Sequence, residues 1–269
     1  MRMHKFVYFL YRYFLITMVF LLVFLPNIVA CRAVNQSIAI YYLLNFGGLY
    51  LSQSLDVVGL IKFLVPNLFI IYMFSDIMRS ECVINYAYVF TRTVKKQKWL
   101  FQESVKLFFY VAVMYLWLFV LTLFVGRIAG LPNIDFFTCI RLILPLYFLN
   151  VLSMFEFAFL QNVLSMRNGS TLAFMLIVFL YAVPLIAVPL LHKSVYLNAI
   201  LYFILSVNQM YLWHADRMPM SGSEGFLSDS LPGFSLLYSF LILLVFIVIS
   251  YRIYRWYFIR KDMIELIKE

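Results

Sequence analysis

Apolar residues in this chain gather in long blocks and show no short, regular alternation. Six nearly uninterrupted runs stand out, at about 14–30, 57–74, 105–125, 142–160, 172–191 and 234–251. Crossing a hydrocarbon layer of about 30 Å takes roughly 20 helical residues. A helix suits that crossing because it satisfies every backbone N–H and C=O within its own segment. The pattern therefore predicts an all-α membrane protein with six transmembrane helices, a single transmembrane domain over residues 1–269. A seventh run, Ser194–Trp213, is different in kind. It contains Asn198, Ser206, Asn208 and Gln209, and it follows a run holding Pro184 and Pro189. Prolines free carbonyls that lipid cannot satisfy, so this region reads as the one clear break in the pattern.

Charge decides whether the seventh run crosses. Lys and Arg accumulate on the cytoplasmic side of a membrane protein. With six crossings and a cytoplasmic N-terminus, 15 of the 21 Lys and Arg residues fall inside, and Arg32, Lys62, Arg127, Arg141, Lys193 and Arg217 stay outside. A seventh crossing would carry the basic tail "YRIYRWYFIRK" outside. The expectation is a multi-pass protein of the cell membrane with both termini cytoplasmic. Residues 194–213 then form a re-entrant or interfacial segment between spans 5 and 6.

The outer loops follow from the same reading. In residues 31–56, "SIAIYYLLNF" is expected to lie along the membrane surface until Gly47 and Gly48 break it. Asp216–Gly233, rich in Gly, Ser and Pro, reads as a mobile loop. At the N-terminus, basic residues, an apolar run and "IVAC" (Ile28–Cys31) resemble a lipoprotein signal, which would be cut and lipidated at Cys31. An ordinary first span is the preferred reading, since the later spans already anchor the chain.

Composition narrows the chemistry. The chain is 65% hydrophobic and 12% charged, whereas soluble domains are about half apolar and a quarter charged. The net charge of +9 would suggest nucleic acid in a soluble protein. Here it is an orientation signal, and no nucleic-acid partner is expected. Cys31, Cys82 and Cys139 lack paired spacing, and His4, His192 and His214 are too scattered for a zinc motif. There is no Walker A loop and no GxSxG elbow. No catalytic residue, metal or cofactor is therefore expected on the chain itself. Glu156 is the lone acid inside a span. Placed about one turn from the cytoplasmic end, it is expected to snorkel or make a structural hydrogen bond, with a transport-pathway role as the alternative. Lys62 is expected to snorkel. "GRIAG" (Gly126–Gly130) reads as a turn and not as a dimer seam, and the aromatics as lipid-facing bulk and interfacial belt.

One stretch departs from this apolar background. Within "ECVINYAYVFTRTVKKQKWLFQESVKLFF" (Glu81–Phe109), four cations fall among the seven residues from Arg92 to Lys98. Ser75 and Asp76 can cap a helix below the membrane. Val83, Tyr86 or Ala87, Phe90 and Val94 then form an apolar stripe, and Trp99 opens the third span at headgroup depth. Such a cytoplasmic amphipathic helix between spans 2 and 3 can lie on anionic membrane lipid, at about 1 kcal/mol per cation. It can also dock in a partner's groove, and the two readings are compatible.

Taken together, these features resemble the membrane-spanning permease subunit of a type-2 ABC transporter, in particular small bacterial exporters of the bacteriocin-immunity and peptide-export kind. "MRMHKFVYFLYRYF" resembles that family's elbow helix, and "YAYVFTRTVKKQKWLFQESVKLF" the region of its coupling helix. Arg92, Lys95, Lys96, Lys98 and Trp99 match the order of an Arg, a basic cluster and a Trp. The re-entrant segment and basic tail are similar too. The likeness is architectural and covers nearly the whole chain, although the outer loop after the first span is longer than the family's. It implies a separate ABC ATPase subunit that binds ATP and Mg. It also implies a second permease copy or a different permease subunit, and alternating access for a hydrophobic or amphipathic substrate, an antimicrobial peptide first. Glu81, Tyr86, Phe90, Arg92, Lys95, Lys96, Lys98 and Trp99 become the candidate ATPase contacts, and Glu156 the candidate on the transport pathway. The alternatives are a membrane scaffold or sensor without transport, a membrane-embedded enzyme, which would need convergent catalytic groups, and a secondary transporter, which would show matching broken halves.

Overall fold

The computed structural model describes residues 2–51, 56–81, 96–133, 135–191, 200–217 and 230–260. All regular structure among the described residues is helical: α1 (Arg2–Ala33), α2 (Ile38–Phe46), α3 (Val57–Met73), α4 (Lys96–Ile128), α5 (Phe136–Asn168), α6 (Ser170–Leu191), α7 (Leu205–Asn208), a 3-10 turn at Tyr211–Trp213, and α8 (Leu236–Arg260). Among the described residues six helices are long and apolar enough to cross a membrane, namely α1, α3 with its continuation to Glu81, α4, α5, α6 and α8. This is a multi-pass helical membrane protein.

Several helices outrun the apolar runs that mark them. α4 and α5 each have 33 residues, or roughly 50 Å of helix, against a hydrocarbon core of about 30 Å. Polar residues end the apolar pattern, but the backbone stays helical beyond it. α1 is likewise one helix from Arg2 to Ala33, so no elbow separate from the first span is seen. Nor do Pro184 and Pro189 break the chain, because both lie inside α6. Leu185 and Val188 beside them pack fully into the bundle, which is the setting in which membrane helices tolerate proline.

α5 is the hub. In its most apolar stretch 72% of the residues are buried, against 11% in α8, and it packs against α3, α4, α6 and α8. Its interior faces carry Asn150, Ser153, Glu156, Gln161, Asn162 and Ser165, all buried.

The short helix α2 corrects an expectation. It does not lie along the membrane surface but is buried within the bundle, with Ile38, Ala39, Tyr41, Tyr42, Leu43 and Phe46 each no more than 2% exposed. The reason is visible in the sequence, because a helix that is apolar on every side has no face to offer water. Gly126 of α4 lets it approach, since a Cβ there would stand 3.0 Å from Ile38 Cδ1. In "GRIAG", therefore, Gly126 is an internal packing position and Gly130, with φ +74°, supplies the turn. The Tyr42 hydroxyl donates to the Phe119 carbonyl at 2.6 Å, which fixes α2 to α4.

Beside α2 lies the described part of the fifth-to-sixth-span connection. Residues 205–214 are almost wholly buried. Leu212 N donates to the Gly47 carbonyl at 3.0 Å, and Trp213 Nε1 to the Leu49 carbonyl at 2.7 Å. Gly48, at φ +98°, has no room for a side chain against Met210. Most of the loop read as mobile, residues 218–229, lies outside the described residues.

The N-terminal segment is part of the core. Ile16, Phe20 and Phe24 are buried, Cys31 is buried within α1, and Arg12 is ion-paired to Asp76. Cleavage before Cys31 would remove all of these contacts except those of Cys31 itself. The intact mass of the purified protein is expected to include residues 1–30, and a mass beginning with a lipidated Cys31 would contradict this packing.

Candidate functional site

At one end of the bundle, cations gather around the place where α3 stops. The chain turns at residues 74–76 and resumes as helix over 77–81. Such a turn deep in a protein leaves backbone groups without helical partners. Asn162 of α5 takes them up: its Nδ2 donates to the Phe74 carbonyl at 2.7 Å, and its Oδ1 accepts from Met78 N at 2.9 Å. Asp76 precedes the resumed helix, where a capping residue was expected, but its carboxylate turns instead to Arg12, 2.7 Å away. Arg12 also lies over the Tyr8 ring, 4.3 Å from its centroid. α1 is thereby tied to the turn.

A second tie joins the two helices flanking the basic loop. Lys106 of α4 lies 3.2 Å from Glu103 and 3.7 Å from Glu81. Glu81 is thus engaged within the chain. Lys96 opens α4 and Lys98 is exposed. Trp99 is 6% exposed and belongs to the core. Tyr86, Phe90, Arg92 and Lys95, with the proposed helix around them, lie outside the described residues.

Glu156 is the clearest correction. It is fully buried, twelve residues from the end of α5 at Asn168, so it cannot snorkel to water. The apolar run ends near residue 160, but the helix continues, which places Glu156 close to mid-span. Its Oε1 accepts a hydrogen bond from the Ser250 hydroxyl of α8, while Oε2 has no partner among the described residues. No cation is paired with it among the described residues. The structural hydrogen bond is thus what the geometry provides. Lys62, likewise, reaches Asn27 Oδ1 at 3.4 Å within the chain.

At the opposite end a second polar group mirrors the first. Asn150 Nδ2 donates to the Phe46 carbonyl that ends α2, at 3.1 Å, and to Leu146 O at 2.8 Å. Gln209 Nε2 donates to Asn150 Oδ1 at 2.8 Å, and Tyr181 donates to Gln209 Oε1 at 2.8 Å. Sequence reasoning singled out Glu156 alone and missed Asn150 and Asn162. Asn150 interrupts the apolar run at 142–160, whereas Asn162 lies just beyond its end, where the helix continues. His214 and Ser239 also meet, with Nε2 and Oγ 2.7 Å apart, and both are fully buried. With the His214 ring stacked on Phe234 at 4.2 Å, the pair anchors the first turn of α8 and offers no substrate a path. Asp135, exposed at the start of α5, accepts from Thr138 N at 2.9 Å. Hydrogen bonds from the Thr138 side chain and backbone hold its carboxyl below the ordinary value.

α8 packs loosely and leaves a cleft on each side. One, of about 470 Å³, lies between α4, α5 and α8; the other, of about 300 Å³, lies between α5 and α8 alone. Among the described residues no three His, Cys, Asp or Glu side chains group closely enough to hold a metal.

Fold and site together define a six-span helical bundle organised on a buried, polar-studded central helix with a cation-rich end. No family model, curated protein or solved structure matches the chain.

The Glu156–Ser250 contact makes a direct prediction. Glu156→Gln keeps an acceptor for Ser250 and is expected to change stability by less than about 1 kcal/mol. Glu156→Ala, which opens a cavity and strands Ser250, is expected to cost roughly 2–4 kcal/mol. Denaturant unfolding in detergent checks both, and an unaffected Glu156→Ala variant would contradict the structural role.

Proposed function

We propose that this chain is the permease subunit of an ABC exporter. The observation that carries the reading is the way residues 82–95 are bracketed. On one side is helix 77–81, held by Asn162 and, through Asp76, by Arg12. On the other is α4, which starts at Lys96 and runs without a break into its span. Lys106 joins the two sides through Glu81. A cytoplasmic partner pressing on the bracketed segment would move α3 and α4 together, as a coupling helix must. In this reading the cation-rich end is cytoplasmic, with both termini on that side. Lys95, Lys96 and Lys98, with Arg92, meet a separate ATPase that supplies ATP and Mg. The N-terminal turns of α1 act as the elbow, and the 194–213 segment dips into the outer leaflet beside α2. Two permease chains, alike or different, form the pathway for a hydrophobic or amphipathic substrate, with an antimicrobial peptide as the first choice.

Purification of the full chain from its native membrane in mild detergent tests the proposal. An ABC ATPase is expected to co-purify. Reversing Lys95, Lys96 and Lys98 to Glu is expected to cut that association about tenfold or more, with the thermal midpoint of the permease unchanged. Purification of the chain alone, with no ATPase partner in the membrane, would overturn it.

A further inference from the structure

The larger cleft is not a plain apolar gap. Its walls come from three helices: Phe101, Val105 and Phe108 of α4, Phe155 and Phe159 of α5, and Val248 of α8. The α4 positions recur at spacings of four and three, so one continuous face lines the cleft. The cleft opens at the bundle surface, where Phe101 and Val248 are 57% and 53% exposed. On α8 its lining runs from Ile247 to Arg255, roughly 12 Å along the helix axis. Its volume of about 470 Å³ falls in the range of ligand pockets, about 300–1,000 Å³.

Polarity changes abruptly at one end. Arg252 and Arg255 both belong to the lining, stand one turn apart on α8 and are exposed. Arg255 Nη2 donates to Gln97 Oε1 at 2.8 Å, which orients it while most of its donors stay free. Neither arginine has a carboxylate partner among the described residues. Trp256, 57% exposed on the next turn, is the residue type that marks the membrane–water boundary. The site is therefore an aromatic and aliphatic trough that ends, beside an exposed tryptophan, in two guanidinium groups with no carboxylate partner among the described residues. Guanidinium groups prefer phosphate because their forked donors match its oxygens two at a time.

We propose that this cleft binds an anionic glycerophospholipid, with an acyl chain along the α4–α5–α8 wall and the phosphate on Arg252 and Arg255. The smaller cleft on the other side of α8 supplies an internal comparison. Its lining of Phe159, Leu160, Val163, Leu164, Ile253 and neighbours contains no cation among the described residues, so it takes lipid tails with no preference of headgroup. Selectivity resides in the arginine pair, and the proposal does not depend on whether the chain is an exporter.

The test uses the full chain, delipidated in dodecyl maltoside, and its thermal midpoint on addition of phosphatidylglycerol, phosphatidylcholine or inorganic phosphate. Phosphatidylglycerol is expected to raise the midpoint, and the other two are not. Arg252→Gln with Arg255→Gln is expected to weaken the apparent affinity for phosphatidylglycerol about tenfold or more. Val248→Trp, a lipid-facing change that fills the trough and leaves both arginines, is expected to abolish the response. An equal response to phosphatidylcholine, a response to phosphate alone, or a full response in either variant would overturn the proposal.

Discussion

A backbone carbonyl or N–H buried away from water must find a partner inside the protein, and the rest of this structure depends on that requirement. Uninterrupted helices meet it without help. At two buried places, the end of α2 at Phe46 and the turn at 74–76 after α3, a helix of this chain stops and leaves backbone groups to be met from elsewhere. At each place an asparagine of α5 completes the hydrogen bonding. Asn150 and Asn162 do it in the same way, each donating both to the carbonyl four residues back on α5 and to the orphan carbonyl of the neighbouring segment. Unmet groups of this kind cost about 1–3 kcal/mol each, so polar residues on the most buried helix are part of what lets the bundle close.

This arrangement gives the two ends of the bundle different characters. At one end α2 and residues 205–214 fit together through backbone and tryptophan hydrogen bonds. At the other end the ties are ionic: Arg12 to Asp76, and Lys106 to Glu81 and Glu103. Ion pairs near water are worth less than a packed core and are easier to rearrange. The basic end is thus the more adaptable one, which suits its proposed role of receiving force from an ATPase. α8 adds a further element, held to α5 by the Ser250–Glu156 contact, by the Tyr254 hydroxyl on Met166 Sδ and by the Tyr254 ring against Phe159, with a cleft on either side.

What could be read from the sequence followed from length and charge. Six spans were legible because a membrane sets a minimum apolar length, and the structure has six such helices. Burial was not legible in the same way. "SIAIYYLLNF" is as apolar as an interfacial helix and was read as one, yet its lack of a polar face was the sign that it belongs inside. Glu156 was placed near an end because the apolar run stops by residue 160, while the helix goes on to Asn168. Trp99 reads as an interfacial residue by its type, whereas its burial depends on which face of α4 packs inward, and the sequence does not show that. The polar spacing on α5 was visible too, but its meaning depends on which neighbouring backbone is broken, and only the three-dimensional arrangement reveals that.

The central claim is that Asn162 supports the fold by completing a broken backbone and not merely by filling space. Denaturant unfolding in detergent of Asn162→Leu beside Gln161→Leu tests it directly. Both residues are fully buried on the same helix, but Gln161 makes one long hydrogen bond, at 3.3 Å to Ser170 O. Asn162→Leu is expected to lose roughly 2–5 kcal/mol, from two stranded backbone groups, and Gln161→Leu about 1 kcal/mol or less. Equal losses, or an Asn162→Leu variant as stable as the parent, would contradict the account.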